Sequence, residues 1–464
     1  LKEMVRLGAG LTRKKRLTHE ASKRALECLS RFGQRLRDLP ADSVRVVGTN
    51  TLRQVQDGGK FLRQAQAALG HRIEIIAGRE EARLVYLGVA HGLAADDDQN
   101  SRLVVDIGGG STELIIGQGM EAQERESLYM GCVSYSRRFF PDGEITGNAM
   151  NAALIAGRLE IRPHQTTYNT SHWVQAVGSS GTIKAIQDVV RAAGWSDAEI
   201  SSKSLNKLRQ KLVQAKNLDA LNLEGLSEDR KPVFAGGVAV LSAVFQALDI
   251  EKMRVSDLAL REGVLFEMVG SIDHHDVRDR TVETLIQRYS VDEAQGKLVA
   301  ATAAALLAQV QEPWKLANEQ HAQLLHWAAR LHEIGLAISH TGFHKHGAYI
   351  LANADLPGFS RQQQKILAPL VRGHRRKLSK HIFSDLPKEI RKNCLRMCII
   401  LRLSVLLHRN RSHGSKPALG MTVKKRHVSL SFPAGWLAKH PVTTAELAVE
   451  AKRLKSVDYQ LDYV

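Results

Sequence analysis

A glycine triplet between two apolar runs, in the stretch VVDIGGGSTELIIG (104–117), limits the fold of this chain more than any other feature. No lysine follows the glycines, so the stretch is not a nucleotide-binding P-loop. Glu113 occupies the place of the third glycine in the dinucleotide-binding pattern, which excludes that motif too. Apolar and β-branched residues continue beyond the turn, as a strand requires. The stretch therefore predicts a β-hairpin.

Two carboxylates, Asp106 and Glu113, lie symmetrically about a turn centred between Gly109 and Gly110. In that register they face each other with Cβ atoms about 5 Å apart, and like charges so placed repel. Mg²⁺ takes one or two carboxylates together with waters and phosphates, so it would remove this cost. The turn itself offers phosphate donors at Gly108, Gly109, Gly110, Ser111 and Thr112. We therefore predict a site for Mg²⁺ and phosphate, with two solvated acids on a plain hairpin as the alternative.

Three further segments follow strands and carry polar or acidic turns. VGTNTLRQ (47–54) presents Thr49, Asn50 and Arg53 at the start of a helix, where anions are bound favourably, and VGSSGTIK (177–184) repeats this design. GREEARL (78–84) places Glu80 and Glu81 in a first helical turn. Each segment alone also fits an ordinary capped helix. Together they predict a phosphate-binding cleft between two α/β domains.

The pattern of the chain changes along its length. Strands and helices alternate up to about residue 272, helical periodicity follows, and GMTVKKRHVSLSFPAGWL (420–437) alternates like short strands. No apolar run has the ~20 residues that a membrane span needs. We expect four domains, which cover residues 1–98, 99–272, 273–415 and 416–464.

The net charge points to a polyanionic partner. Lys and Arg total 65 against 48 acidic residues, a formal charge of +17, and no basic stretch is interleaved with aromatic residues. Phosphate therefore explains the charge better than bases do. Residues 372–411 hold twelve Lys or Arg and two acids, which indicates either a solvated face or a track for a long polyanion. The four sparse cysteines are typical of a reducing compartment, so we expect a cytoplasmic protein, with a peripheral membrane location left open.

Seven segments between residues 48 and 265 together resemble one family. They are GTNTLRQ, IIAGREEARLVYLGV, VVDIGGGSTELIIG, YMGCVSYSRRFFP, AVGSSGTIKA, LSEDRKPVFAGGVAVL and RVSDLALREGVL. Their order and spacing resemble those of the exopolyphosphatase and guanosine pentaphosphate phosphatase (Ppx/GppA) family. The helical remainder resembles that of the longer bacterial exopolyphosphatases.

The resemblance implies the two-domain, ribonuclease H-like ATPase fold of actin and sugar kinases. It also implies release of the terminal phosphate of inorganic polyphosphate with Mg²⁺, a monovalent cation such as K⁺ as a further cofactor, and a homodimer. By the same resemblance Glu81 activates the attacking water, while Asp106 and Glu113 hold the metal. The phosphate contacts then fall on Thr49, Asn50, Arg53, Gly108, Gly109, Gly110, Ser111, Thr112, Ser180, Gly181 and Thr182, with Cys132 as a weaker match near the substrate.

The basic helical part favours a long polymer, so our main interpretation is an exopolyphosphatase. Guanosine pentaphosphate 5′-phosphohydrolase is the alternative within the family, because both reactions use the same cleft. A non-catalytic polyphosphate-binding or RNA-binding protein is the alternative outside it. A sugar-kinase-like phosphotransferase is supported only by the glycines of FAGGVAVL (234–241).

Two departures from the expected patterns carry predictions. The family opens with D-x-G-S-N-S, which is absent here. We therefore expect the chain to lack an N-terminal segment of a few dozen residues, and without it to fold poorly or lack activity. LLHWAARLHEIGLAISHTGFHKHGAYIL (324–351) resembles the HD metal-phosphohydrolase motif, but Glu333 replaces its Asp. Ser404 and Val405 stand where a later acid is needed, which predicts a degenerate HD-like domain without metal.

Overall fold

The computed structural model describes residues 3–12, 14–40, 43–56, 58–93, 100–218, 220, 222–270, 276–411 and 418–464. It divides into two compact units, Leu1–His275 and Asp276–Val464. The three predicted domain boundaries, at residues 98/99, 272/273 and 415/416, lie outside the described residues, as does most of the predicted seam at 94–101. The division into four domains therefore stays a prediction.

The first unit begins with a helical and two-stranded part. Its elements are α1 (His19–Leu36), β1 (Val46–Gly48), α2 (Asn50–Gln54), α3 (Gly58–Leu69), β2 (Ile73–Ile75) and α4 (Gly78–Leu93). Strands β1 and β2 pair in parallel. The Thr18 hydroxyl caps α1 by accepting from the N–H of Ala21. Acidic residues occupy the first turn of α4, where they complement the helix dipole.

The rest of the first unit is built on a six-stranded sheet. Its elements are β3 (Arg102–Ile107), β4 (Thr112–Gln118), β5 (Glu121–Leu128), α5 (Cys132–Phe139), α6 (Gly147–Ile161), α7 (Gln165–Tyr168), β6 (Gln175–Ser179), α8 (Ser180–Ala192), β7 (Ile200–Ser201), α9 (Ser202–Ala215), α10 (Lys231–Ala247), β8 (Lys252–Val255) and α11 (Leu260–Gly270). The strand order is β5-β4-β3-β6-β8-β7. The mixed sheet with its flanking helices confirms the predicted α/β class.

Apolar residues bury both sides of this sheet. Every residue of β3 is buried, and α10 is buried over most of its length against α5 and α6. Helix α4 packs closely on α11, because Gly88 and Gly263 leave room for the opposite backbone. A Cβ on Gly263 would lie 1.8 Å from the carbonyl oxygen of Leu84, so this crossing requires glycine. The packing fixes the position of the helix that carries Glu81.

The second unit is mainly helical, as the periodicity predicts. Its elements are α12 (Val277–Arg288), α13 (Glu293–Val310), α14 (Glu319–Arg330), α15 (Phe343–Asn353), α16 (Arg361–Gly373), α17 (Lys388–Leu407), β9 (Gly420–Lys424), β10 (His427–Ser431), α18 (Trp436–Lys439), α19 (Pro441–Lys455) and β11 (Gln460–Tyr463). The strands form a small sheet in the order β11-β10-β9. Residues 420–464 share one hydrophobic core with the helices. The HD-like topology stays a prediction.

No helix in the described ranges is both long and apolar enough to cross a membrane.

Candidate active site

The predicted hairpin and its register are confirmed. Strands β3 and β4 pair antiparallel, and Asp106 lies directly opposite Glu113. Both residues are at least nine-tenths buried, and their strands β3 and β4 are both interior strands of the sheet. The predicted alternative of two solvated acids is therefore wrong. Two like charges share a buried position on neighbouring strands.

The glycine turn is held by the start of helix α5. The N–H of Cys132 donates to the carbonyl of Gly108 at 3.0 Å, and that of Val133 donates to the carbonyl of Gly109 at 2.9 Å. A Cβ on Gly131 would lie 2.5 Å from the backbone nitrogen of Gly110, so only glycine fits there. These contacts hold the turn through the carbonyl groups of Gly108 and Gly109. Ser111 and Thr112 follow the glycines and lead into β4.

Burial and mutual repulsion act on three carboxylates at this end of the sheet. Burial, together with the charge of Glu81, raises the pKa of Asp106 to about 7, against a hydrogen bond from Ser180. Burial raises the pKa of Glu113 well above its usual range, and the charges of Glu81 and Asp106 add to this. The hydroxyl of Ser127 donates to Glu113 at 2.8 Å and opposes that rise. The three acids therefore form one electrostatic group.

Glu81 has a cationic partner. Arg53 Nη1 lies 2.8 Å from Glu81 Oε2 and also donates to the carbonyl of Ile76 at 3.0 Å. Burial raises the pKa of Glu81, while Arg53 and a hydrogen bond from Thr49 lower it. The structure thus gives Arg53 a carboxylate partner that the sequence did not predict. A phosphate contact of Arg53 stays a prediction.

The turn before α2 meets the glycine turn. Asn50 is buried, and its Oδ1 accepts a hydrogen bond from Gln54. Its Nδ2 has no hydrogen-bond partner among the residues that the structure describes. A Cβ on Gly110 would lie 2.8 Å from this Nδ2. Asn50 therefore brings an unused donor against the predicted phosphate turn.

The third turn, Ser180–Thr182, begins helix α8 directly after the neighbouring strand β6. Strand β6 runs parallel to β3, with Ser179 opposite Asp106. Ser180 has φ +87°, a left-handed conformation that non-glycine residues rarely adopt and that is enriched at functional sites. The N–H of Thr182 donates to Ser180 Oγ at 3.3 Å. The structure therefore brings this turn and the carboxylates to one edge of the sheet.

Two residues beside these turns were missed from the sequence. Arg230 lies over Gly181, where a Cβ would stand 2.0 Å from Arg230 Nη2. Arg230 belongs to the segment LSEDRKPVFAGGVAVL, so its motif carried a signal for it. Ser127 pairs with Glu113 across strands β4 and β5, and nothing local in the sequence marks it.

Cys132 lies close to the same turns. Burial raises the pKa of its thiol, and a hydrogen bond with Thr182 and the charge of Arg230 act in the opposite direction. The side chain is buried at the start of α5. The structure therefore places Cys132 among the candidate residues but gives it no reactive thiolate.

Metal binding depends on the paired acids. Across the described ranges, no group of three or more His, Cys, Asp or Glu side chains is arranged to hold a metal ion. Mg²⁺ needs only one or two protein carboxylates and completes its shell with water and phosphate oxygens. Asp106 and Glu113 are opposed, buried and raised in pKa, which is the environment that a divalent cation relieves. The residues present therefore fit Mg²⁺.

The basic run of residues 372–411 is not one solvated face. Arg402 is buried in an ion pair with Glu450, and the buried Arg396 donates to the carbonyl of Trp314 at 2.5 Å. Arg411 holds both oxygens of Glu333, at 2.7 and 2.9 Å. Part of the charge therefore stabilises the second unit, and a track that uses every cation of the run is ruled out.

The fold and the paired carboxylates beside anion-binding turns indicate a phosphate-handling α/β protein. The sequence model of the Ppx/GppA phosphatase family matches residues 1–272, and that of the family's domain III matches residues 277–451. The chain belongs to the Ppx/GppA phosphatase family, whose members are phosphohydrolases.

Two curated relatives are similar over nearly the whole chain. A guanosine-5′-triphosphate,3′-diphosphate pyrophosphatase of Photobacterium profundum is 39% identical over 99% of this chain and 91% of the relative. A protein of the same name from Vibrio cholerae is 40% identical over 99% of this chain and 92% of the relative.

The chain also resembles a solved structure over part of its length. An exopolyphosphatase from Cytophaga hutchinsonii is 25% identical, with a TM-score of 0.51, over 58% of this chain and 88% of that chain. The curated relatives are named for guanosine pentaphosphate and the solved structure for polyphosphate, the two substrates between which the sequence did not decide. The relatives with the higher identity and coverage carry the name of the alternative.

Proposed function

We propose that this chain hydrolyses guanosine-5′-triphosphate,3′-diphosphate and releases the terminal phosphate of its 5′-triphosphate. The observation that carries the proposal is the 39–40% identity to proteins of that name over 99% of the chain. It reverses our order of preference, in which the basic helical part favoured an exopolyphosphatase. Inorganic polyphosphate remains the second candidate, supported by the likeness to the exopolyphosphatase structure.

In the proposed reaction, water attacks the terminal phosphorus and the bond to the bridging oxygen breaks. The products are orthophosphate, the shortened nucleotide and one proton. Glu81 accepts a hydrogen bond from the attacking water and takes its proton, a role for which a raised pKa is suited. The ion pair with Arg53 opposes the rise in the pKa of Glu81 that burial causes, and so favours the ionised carboxylate. Positioning and charge neutralisation supply most of the catalysis in such transfers.

The three turns bind the phosphate chain in this proposal. The candidate donors are backbone N–H groups and hydroxyls of the turns 108–112 and 180–182, together with the unused amide of Asn50. Arg230 adds a positive charge beside the second of these turns. Backbone donors at turns and helix starts bind phosphate without a counter-charge of their own.

Asp106 and Glu113 would hold Mg²⁺. When bound, the ion supplies charge neutralisation for the phosphate chain and for the developing charge on the leaving oxygen. The two residues are held for this by different hydroxyl groups, Ser180 at Asp106 and Ser127 at Glu113. K⁺ binding and a homodimer stay predictions.

The test is the release of orthophosphate from guanosine pentaphosphate and from long-chain polyphosphate, each with and without Mg²⁺. The proposal expects the higher kcat/KM with the nucleotide and dependence on Mg²⁺ with both. A higher kcat/KM with polyphosphate would reverse the proposed order of the two substrates. Absence of turnover with either would overturn the proposal.

A further inference from the structure

Four cations lie beside two neighbouring buried histidines of the second unit. Lys345 follows His344 in sequence, and Arg372, Arg375 and Arg376 lie within two residues of His374, whose ring centroid is 6.3 Å from that of His344. Lys345, Arg372, Arg375 and Arg376 all lie near enough to His344 to lower its pKa, which burial and these charges bring to about 4. Within the described ranges, none of the four has an ion pair, whereas Arg409 is paired with Glu446. Glu333 lies near enough to Arg375 to act on its pKa, but both oxygens of Glu333 accept hydrogen bonds from Arg411. Like charges brought together cost free energy, unless an anion offsets them.

The start of helix α15 lies in the same cluster. His344 is the second residue of this helix, and its N-cap, Gly342, provides no side-chain hydrogen bond. The first N–H groups of a helix carry a partial positive charge and need acceptors. The N–H of Lys345 already donates to the carbonyl of Gly342 at 2.7 Å, and the helix start adds its earlier N–H groups to the positive potential of the four side chains.

Two imidazole nitrogens in this cluster are buried and, among the residues that the structure describes, have no hydrogen-bond partner. They are His344 Nδ1 and His374 Nε2, and both side chains are at least nine-tenths buried. The other nitrogen of His374 lies 2.6 Å from the carbonyl of Val371, which fixes the ring. Buried polar atoms without partners are rare, so this pair needs an explanation.

Aromatic contacts hold the cluster in place. The ring centroids of His344 and His374 are 6.3 Å apart, and that of Phe343 lies 5.6 Å from His374. The guanidinium carbon of Arg375 lies 4.4 Å from the Phe343 ring centroid. Helices α15 and α16, which pack against each other, carry most of these residues. Arg375 is therefore held against the ring of Phe343.

We propose that the uncapped start of α15, with His344, Lys345, Arg372, Arg375 and Arg376, binds a compact phosphate anion. The ligand is orthophosphate or the phosphoryl group of a phosphate ester, because several converging cations and an N–H-bearing helix start match its charge and its several acceptor oxygens. The site consists only of residues of the second unit. It does not depend on the hydrolysis proposed for the first unit.

The test is a titration of the full chain with orthophosphate, followed by NMR of ¹⁵N-labelled histidine side chains. The signals of His344 are assigned by their loss in His344→Gln. We expect saturable shifts of these signals, and at least tenfold weaker binding in the variant Arg372→Gln/Arg375→Gln. Lys392→Gln removes one positive charge from the exposed face of α17 and leaves the affinity unchanged. A nucleoside monophosphate that gives the same shifts identifies a phosphate ester as an accepted ligand.

Three results would overturn the proposal. The His344 signals do not respond to phosphate, chloride at matched ionic strength reproduces the shifts, or the double variant keeps the affinity of the unaltered chain. Thermal unfolding of each variant checks that it is folded, and His344→Gln serves as the second variant, with weaker binding followed through the signals of His374.

Discussion

Arg53 and Glu81 form a partly buried ion pair, with Arg53 Nη1 2.8 Å from Glu81 Oε2. The pair joins the turn after β1 to the first turn of α4, so two segments that the sequence predicts to act on phosphate are bound to each other. Arg53 counteracts the effect of burial on Glu81, because its charge lowers the pKa of that carboxyl. We infer that Arg53 favours the ionised form of the proposed base.

Replacing Glu81 by Gln removes the proposed base and keeps the shape of the side chain. We expect kcat to fall about 10²- to 10⁴-fold, the usual contribution of a general base. Glu80→Gln is the matched control on the same turn, since Glu80 bonds Arg83 instead. It should lower the thermal stability and leave kcat within a few-fold. Equal losses of kcat in both variants would argue against Glu81 as the base.

Replacing Arg53 by Gln should shift the pH dependence of the reaction. Without the cation the pKa of Glu81 rises further, so the proposed base is protonated over a wider acid range. The acid limb of the profile of kcat/KM against pH then moves to higher pH. Arg63→Gln, an exposed change on α3, is the control and should leave the profile in place. If the acid limb of the profile does not move in Arg53→Gln, Arg53 does not influence the titration of Glu81.

The raised pKa of Asp106 predicts a pH-dependent gain in stability for Asp106→Asn. The folded-state pKa of about 7 exceeds the ordinary value of 3.8, so the unaltered chain loses stability as pH rises through this interval. The variant should therefore be more stable by on the order of 2–4 kcal/mol at pH 8 and little changed near pH 4. Urea unfolding at both pH values measures this.

The effect of Mg²⁺ on the melting temperature is a second test of Asp106 and Glu113. If Asp106 and Glu113 hold the ion, Mg²⁺ raises the melting temperature of the unaltered chain at pH 8 and has little effect on Asp106→Asn. A stability of the variant below that of the unaltered chain at pH 8 would contradict the electrostatic account. Equal stabilisation of both proteins by Mg²⁺ would place the ion elsewhere.

Gly131→Ala should displace the glycine turn. The new Cβ would lie 2.5 and 2.6 Å from backbone atoms of Gly110 and Gly109, which cannot move as a flexible side chain can. We expect a loss of about 1–3 kcal/mol in the free energy of unfolding, as in overpacked cores, and a marked loss of activity. Gly59→Ala is the control, because its Cβ would meet only a side-chain atom at 3.7 Å. Unfolding in urea and phosphate release measure the two effects.

The buried pair of Arg402 and Glu450 should stabilise the second unit. Glu450→Gln leaves the guanidinium buried without its counter-charge, which typically costs about 3–5 kcal/mol. Glu446→Gln breaks the partly exposed pair with Arg409 and should cost less than about 1 kcal/mol. Thermal unfolding of the two variants compares them directly. Similar losses would mean that the buried pair contributes no more than the exposed one.

The sequence predicts the local features of the site well. The symmetry of Asp106 and Glu113 about the glycine turn predicts their cross-strand register, because a tight hairpin leaves few alternatives. Their burial could not be predicted in the same way, since it depends on the strand β5 and the helices that cover the hairpin. For this reason the sequence is also compatible with two solvated acids on a plain hairpin.

Contacts between distant segments were the harder part. Arg53 and Glu81 are both marked by their motifs, yet only the fold shows that they bind each other. In the basic run, Arg402 looks like its neighbours in sequence, and its burial follows from the docking of α19. Periodicity and charge predict which face of a helix or strand is buried. Which charged side chain is enclosed depends on tertiary packing, which the sequence pattern does not show.

Competition between the two substrates in one reaction tests the proposed function most directly. Guanosine pentaphosphate and long-chain polyphosphate are mixed at equal concentrations of terminal phosphate with Mg²⁺, and ³¹P NMR follows the loss of each. We predict that the nucleotide is consumed first, and that Glu81→Gln slows both reactions together because they share one base. Faster consumption of polyphosphate, or unchanged rates in the variant, would contradict the account.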